Sequence, residues 1–152
     1  MEKTNELNKF LSYVHMGTSI YRIYYEHAEK LKNKKLLKLI TDILEIFKTH
    51  EEKITKLINE EDEEATNSLT AAGIMGVTME KLKMVDNEFS ICTNAIKATY
   101  MGMISALKFL NENKKMHTSI KGAIIIVIDD YERIVKMIKD FIIDEYCWKN
   151  CT

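Results

Sequence analysis

The feature that most constrains this chain is an apolar pattern that occurs twice. Residues 7–58 and 89–142 each contain a long stretch with apolar side chains every three or four positions, a short turn rich in lysine and asparagine, and a second such stretch. This spacing places the apolar side chains on one face of an α-helix, because the helix repeats every 3.6 residues. The sequence therefore predicts two similar helical hairpins.

Residues that interrupt helices are nearly missing from the chain. Its 152 residues include five glycines and no proline, and proline is excluded from helix interiors but common at turns and sheet edges. Hydrophobic residues make up 46% of the sequence, which is enough for one packed core. We therefore predict an all-α fold in a single domain, residues 1–152.

The pattern predicts helices at residues 4–32, 34–58, 87–112 and 119–146. Helix 2 has an apolar row with alternating steps of four and three residues and one polar member: Leu36, Ile40, Ile43, Phe47, His50, Ile54 and Leu57. The expected row of helix 3 is Phe89, Cys92, Ile96, Thr99, Met103, Ala106 and Leu110. The expected row of helix 4 is Ile120, Ile124, Val127, Tyr131, Ile134, Ile138 and Phe141, and Ile125, Ile126 and Ile128 lie outside it. That turn needs cover from the crossover or from a second subunit.

Residues 59–85 break the helical pattern with an acidic run and a stretch of small residues. A structureless loop of this length is unusual inside a compact domain, so we expect a crossover that contains a short helix. A short loop would give a simple up-down bundle, whereas a linker this long can run along the bundle and leave helices 2 and 3 parallel. We favour the parallel arrangement.

Repeated helical hairpins joined by a long crossover resemble the ferritin-like superfamily. The segments LNKFL at 7–11, KKLLK at 34–38 and THEEKI at 49–54 are similar to small bacterial ferritin-like four-helix domains of unknown function. The resemblance implies a ferritin-like four-helix bundle. The resemblance also implies the di-iron or di-manganese site of that superfamily. This site is built from one glutamate on each of two helices and a Glu-x-x-His on each of the others.

The Glu-x-x-His motif is absent from this sequence. The residues three positions before His15, His27, His50 and His117 are Ser12, Tyr24, Phe47 and Lys114. We therefore predict no catalytic residue, no cofactor and no metal site, and a non-enzymatic structural or protein-interaction bundle. The alternative is a divergent di-metal protein that binds iron or manganese or performs peroxide or oxygen chemistry. Its candidate ligands are His50, Glu51, Glu88 and Asp130. A small-molecule sensor is a third possibility without direct support.

His50 has two interpretations. As a core histidine it would be satisfied by hydrogen bonds, with Tyr131, Tyr21 or Tyr24 as candidate partners; as a metal ligand it would need acids nearby. Its neighbour Glu51 points about 100° away on the helix and cannot easily chelate the same ion, so we expect the glutamates beside it to be solvated. We favour the core interpretation.

Charge and hydropathy restrict the partners. The net charge is −1 with acidic and basic residues interleaved, which argues against nucleic acid. The longest aliphatic run, residues 123–128, is far shorter than the ~20 residues that span a bilayer, so we expect no membrane segment and a cytoplasmic location. Cys92, Cys147 and Cys151 form no evident disulfide framework. We expect a homo-oligomer, a dimer through helix 4, and leave a further protein partner unidentified.

Overall fold

The computed structural model describes residues 2–61, 64–67, 69, 73, 76, 77, 79–81 and 87–148. Its long elements are α1 (Glu2–Lys30), α2 (Lys34–Glu60), α3 (Glu88–Glu112) and α4 (Thr118–Ile142), and a π-helical segment, Ile143–Trp148, follows α4. The described residues contain no strand, so the all-α prediction is confirmed. Helix 4 ends four residues before the predicted residue 146 because the backbone there changes to π-helical geometry.

Side chains at the helix starts satisfy backbone donors that have no partner within the helix. Asn33 accepts a hydrogen bond from the Leu36 amide at 3.0 Å, and Asn87 accepts one from the Ser90 amide at 2.8 Å. His117 does the same for α4 through its ring nitrogen. These caps place both hairpin turns and the end of the crossover at defined residues.

The four helices pack in pairs, α1 with α2 and α3, and α4 with α3 and α2. Between α1 and α3, the Phe10 ring contacts the Phe109 ring, and the Tyr21 hydroxyl reaches Thr99. Residue numbers therefore rise along α1 in the direction in which they fall along α3, so these two helices are antiparallel. Because α1 is also antiparallel to α2 across their short turn, α2 and α3 run in the same direction.

The apolar rows predicted for α2 and α4 face the core. Buried side chains of α2 are Leu36, Ile40, Ile43, Phe47, His50, Ile54 and Ile58. Those of α4 are Ile120, Ala123, Ile124, Val127, Tyr131, Ile134 and Ile138. At the end of α2, Ile58 takes the buried position that the heptad pattern assigned to Leu57, which is partly buried.

The row predicted for α3 is partly wrong. The buried residues are Ile91, Cys92, Ala95, Thr99, Ala106 and Phe109. Phe89 is 54% exposed, and Ile96, Met103 and Leu110 are only partly buried. Small side chains on the buried face leave room for the Tyr21 side chain of α1, whose hydroxyl donates to the Ala95 carbonyl at 3.2 Å. The helix is thus rotated away from the face that large apolar residues suggested.

Only parts of the crossover are described. Residues 76, 77 and 79–81 have helical backbone, within the region where a short helix was expected, and the rest of that helix lies outside the described residues, as does Cys151. Cys92 is a buried free thiol, and Cys147 is exposed. Within the described part of the chain, no helix is both long enough and apolar enough to cross a membrane.

Candidate functional site

Aromatic side chains fill the centre of the bundle. The Phe47 ring on α2 makes edge contacts with the Tyr21 ring at 4.8 Å and the Tyr131 ring at 6.0 Å between centroids. Tyr21 in turn contacts Tyr24 at 5.2 Å, and His50 contacts Tyr131 at 5.8 Å. Edge-to-face packing of this kind stabilises aromatic clusters beyond the area they bury. The middle of the interior is therefore an aromatic cluster, defined by these five residues.

The hydroxyl of Tyr21 is satisfied inside this cluster. It bonds the Thr99 hydroxyl at 2.6 Å and the Ala95 carbonyl at 3.2 Å, and Thr99 donates to the same carbonyl at 2.7 Å. Burial raises the pKa of Tyr21 well above its ordinary value. The phenol therefore stays protonated at physiological pH. It works as a structural hydrogen-bond donor between α1 and α3.

His50 bonds a carboxylate rather than a tyrosine. Its Nε2 lies 2.8 Å from Asp130 Oδ2, and the other Asp130 oxygen accepts from Arg133 at 3.2 Å. The expected partners Tyr131, Tyr21 and Tyr24 do not bond it, because helix rotation brings Asp130, the residue before Tyr131, to the imidazole. Among the described residues, none forms a hydrogen bond with the buried Nδ1 of His50. The neutral tautomer with its proton on Nε2 fits this geometry, because a second proton would meet no acceptor.

Burial lowers the pKa of His50, and the bond to Asp130 opposes that shift without cancelling it. The unfolded chain therefore takes up a proton at higher pH than the folded protein. It follows that the contribution of His50 to stability is complete above about pH 6.5, the ordinary histidine value, and is lost as the pH falls through the folded pKa.

We expect the His50→Leu variant to fold and to lose less stability on acidification than the wild-type protein. Urea unfolding followed by circular dichroism between about pH 5 and 8 measures this difference. Lys48→Gln, which changes an exposed side chain on the same helix, is the control and should keep the wild-type pH profile. Equal pH profiles for His50→Leu and the wild-type protein would contradict the assignment of a neutral buried imidazole.

The four candidate metal ligands do not converge. His50 and Asp130 are bonded to each other, whereas Glu51 bonds residues on α1, and Glu88 lies in the first turn of α3. Among the described residues, no three or more histidine, cysteine, aspartate or glutamate side chains lie together as a metal site. The expectation that Glu51 is a solvated side chain is wrong, because that carboxylate is held by His15 and Thr18.

Three hydrogen bonds between distant residues were not predicted from the sequence. His15 Nδ1 lies 2.6 Å from Glu51 Oε2, and its Nε2 lies 2.9 Å from the Thr66 carbonyl oxygen. Tyr24 donates to Glu80 at 2.6 Å in a buried setting. Each contact joins residues at least 36 positions apart, so no local pattern indicates the partner. These hydrogen bonds connect α1 to α2 and to the crossover.

A polar groove of about 940 Å³ lies at the end of the bundle that contains the α3–α4 turn. It is lined by Glu6, Asn8, Lys9, Ser12, Thr66 and residues 111–116. Its walls come from α1, the crossover and that turn. The groove contains charges of both signs, which does not select one class of ligand.

Comparisons of the chain with models of protein families, with curated protein sequences and with solved structures found no match. The functional conclusion is therefore drawn from the geometry of the chain itself.

Proposed function

We propose that this protein is a non-enzymatic protein-interaction bundle with ferritin-like topology, and that it forms a homodimer through the outer face of α3 and α4. The pairing of α1 with α3 and of α2 with α4, with α2 parallel to α3, supports the ferritin-like topology, because that topology requires a crossover along the bundle. Fold by itself does not define function, so the functional part of the proposal depends on the interior and the outer surface.

The interior supports a structural role. In a di-metal bundle, inward glutamates and histidines would surround the ions. Three positions before His50, this chain has Phe47, whose ring packs against those of Tyr21 and Tyr131. Burial also raises the pKa of Cys92 to about 12, so its thiol stays protonated and is a poor nucleophile.

The observation that carries the proposal is an apolar stripe on the outside of α3. Its members recur at helical spacing and are between 46% and 66% exposed: Tyr100, Met101, Ile104 and Leu107. Ile125 and Ile126 of α4 are 48% and 46% exposed. Gly102 lies beside Tyr131 and the two helices are antiparallel, so residues 125 and 126 lie at about the level of residues 107 and 108. Exposed apolar side chains grouped at one level of a folded domain are candidates for an interaction site.

The charges that border this face favour a second copy of the chain as the occupant. Lys97 and Lys108 are exposed on α3, whereas Asp129 and Glu132 are exposed on α4. None of the ion pairs among the described residues uses these four side chains. In a two-fold dimer the same surface meets itself, so the lysines of one copy can approach the acids of the other around an apolar centre.

Ile104→Glu should convert the dimer to a monomer, because a carboxylate at the centre of the face would be buried against apolar side chains. Light scattering at micromolar concentration should give twice the 17.7 kDa chain mass for the wild-type protein and the chain mass for the variant. Tyr13→Glu changes a residue on α1 that is 43% exposed and should remain dimeric. A monomeric wild-type protein would refute the dimer.

Metal analysis tests the other half of the proposal. Protein purified without chelator should contain less than stoichiometric iron and manganese, and titration with ferrous iron should produce no saturable absorbance change. Binding of two ions per chain would instead establish the di-metal alternative. His50→Leu would then show whether the buried histidine is a ligand.

A further inference from the structure

The imidazole of His15 is placed between two hydrogen-bond acceptors. Its Nδ1 faces a carboxylate oxygen of Glu51 on α2 at 2.6 Å, and its Nε2 faces the main-chain carbonyl of Thr66 at 2.9 Å. The side chain is only 16% exposed. A carbonyl oxygen and a carboxylate can only accept, so each ring nitrogen needs a proton if both bonds are to form.

The number of protons on the His15–Glu51 pair therefore decides whether both hydrogen bonds of the imidazole form. The imidazolium form of His15 with ionised Glu51 satisfies both, as does neutral imidazole with protonated Glu51. Once this pair has lost one proton, a single N–H of His15 remains for two acceptors, and its other ring nitrogen faces an oxygen lone pair. Thr18 also bonds Glu51, but it contacts the second carboxylate oxygen and cannot replace the proton between Glu51 and His15.

Among the described residues, other charged side chains near His15 do not replace the proton that it shares with Glu51. Among the described residues, Glu51 is its ion-pair partner on α2. On α1 itself, Lys9 pairs with Glu6, one to two turns away. On the crossover, Glu64 has an exposed side chain. The interaction is therefore between one imidazole and one carboxylate, in a site partly shielded from solvent.

The Thr66 carbonyl belongs to a crossover segment, residues 64–67, that is attached to α1 through its backbone. Asn8 donates to the Glu64 carbonyl at 3.2 Å and accepts from the Thr66 amide at 2.9 Å. Asn8 does not titrate, so pH can affect these two bonds only by changing how often the segment opens. Thr66 also lines the polar groove at the end of the bundle, so movement of this segment would alter one wall of the groove.

We propose that His15 and Glu51 form a proton-dependent latch that fastens crossover residues 64–67 to the bundle. With the shared proton present, His15 bridges α2 and the crossover and the segment is closed against α1. Without it, the segment loses this attachment and opens more often, and each opening breaks its bonds to Asn8 and exposes the groove wall. This device acts at a different surface from the proposed dimer face and does not depend on it.

Hydrogen exchange of the peptide that contains Thr66 tests the latch, because the amide of Thr66 is bonded to Asn8 when the segment is closed. After correction for intrinsic exchange, protection in the wild-type protein should fall about three- to tenfold between pH 5.5 and 8.5, the effect of losing one hydrogen bond. His15→Gln should remove this pH dependence. Peptides from α4 report global stability and serve as the internal reference.

Glu51→Gln separates a proton switch from a merely structural contact. The side-chain amide that this substitution introduces can donate to the bare Nδ1 of neutral His15, whose Nε2 then keeps its proton for the Thr66 carbonyl. This variant should therefore remain protected at pH 8.5. The latch is refuted if wild-type protection is equal at the two pH values, if the pH dependence persists in His15→Gln, or if Glu51→Gln opens at high pH.

Discussion

Replacing Phe47 with alanine is expected to lower the free energy of unfolding by about 3–5 kcal/mol, the range found when a large aromatic side chain is removed from a packed core. Phe47 is 2% exposed and its ring contacts Tyr21, His50 and Tyr131. The cavity left behind would lie between α1, α2 and α4, and rigid rings on all sides can collapse into it only in part.

Urea unfolding at about pH 7.5, followed by circular dichroism, measures this loss. The matched control is Lys48→Ala, which shortens the exposed neighbour of Phe47 on the same helix and should change the unfolding free energy by less than about 0.5 kcal/mol. A loss below about 1 kcal/mol in Phe47→Ala would mean that the centre of the bundle is loosely filled. The structural interpretation of the interior would then be wrong.

Asp130→Ala is expected to cost about 1–3 kcal/mol, the penalty for leaving a buried polar group without its partner. Nδ1 of His50 has no hydrogen-bond partner in the described part of the chain, so removal of the carboxylate would leave both ring nitrogens unsatisfied there. Surface charge contributes less to this loss, because the second contact of Asp130 is with Arg133, whose side chain is 57% exposed.

A double-mutant cycle separates the two contributions. In the His50→Leu background the imidazole is gone, so Asp130→Ala should cost at most about 0.5 kcal/mol. Glu132→Ala, an exposed acid on the same helix, should cost equally little in both backgrounds. Equal losses from Asp130→Ala with and without His50 would show that the pair is not coupled and that Asp130 acts through its surface contacts.

In the proposed function, the buried His50 has a structural role. A neutral imidazole bonded to one aspartate stabilises the contact between α2 and α4 and is sensitive to acid. The His15 latch has the opposite dependence, since its closed form requires a proton. The two histidines lie on different helices and have different partners, so acidification should weaken the bundle as a whole while holding residues 64–67 more tightly.

The candidate site was only partly predictable. His50 stood out because it is the one polar member of an otherwise apolar row on α2. Its partner was not identified, because the choice between Asp130 and Tyr131 depends on about 100° of rotation of α4 about its own axis. For His15 the sequence contains no comparable signal. Its partners Glu51 and Thr66 become neighbours only when α1, α2 and the crossover are packed together.

The sequence by itself determined the helices and the buried faces of α2 and α4, because three-and-four spacing acts over a few residues and large apolar side chains mark one face. Only the tertiary structure decided the orientation of α3. Its buried face is made largely of small residues such as Ala95 and Ala106, whereas Ile104 and Leu107 are exposed. The reason is steric: the Tyr21 side chain of α1 reaches Ala95 and Thr99 on this face, and small side chains on α3 leave room for it.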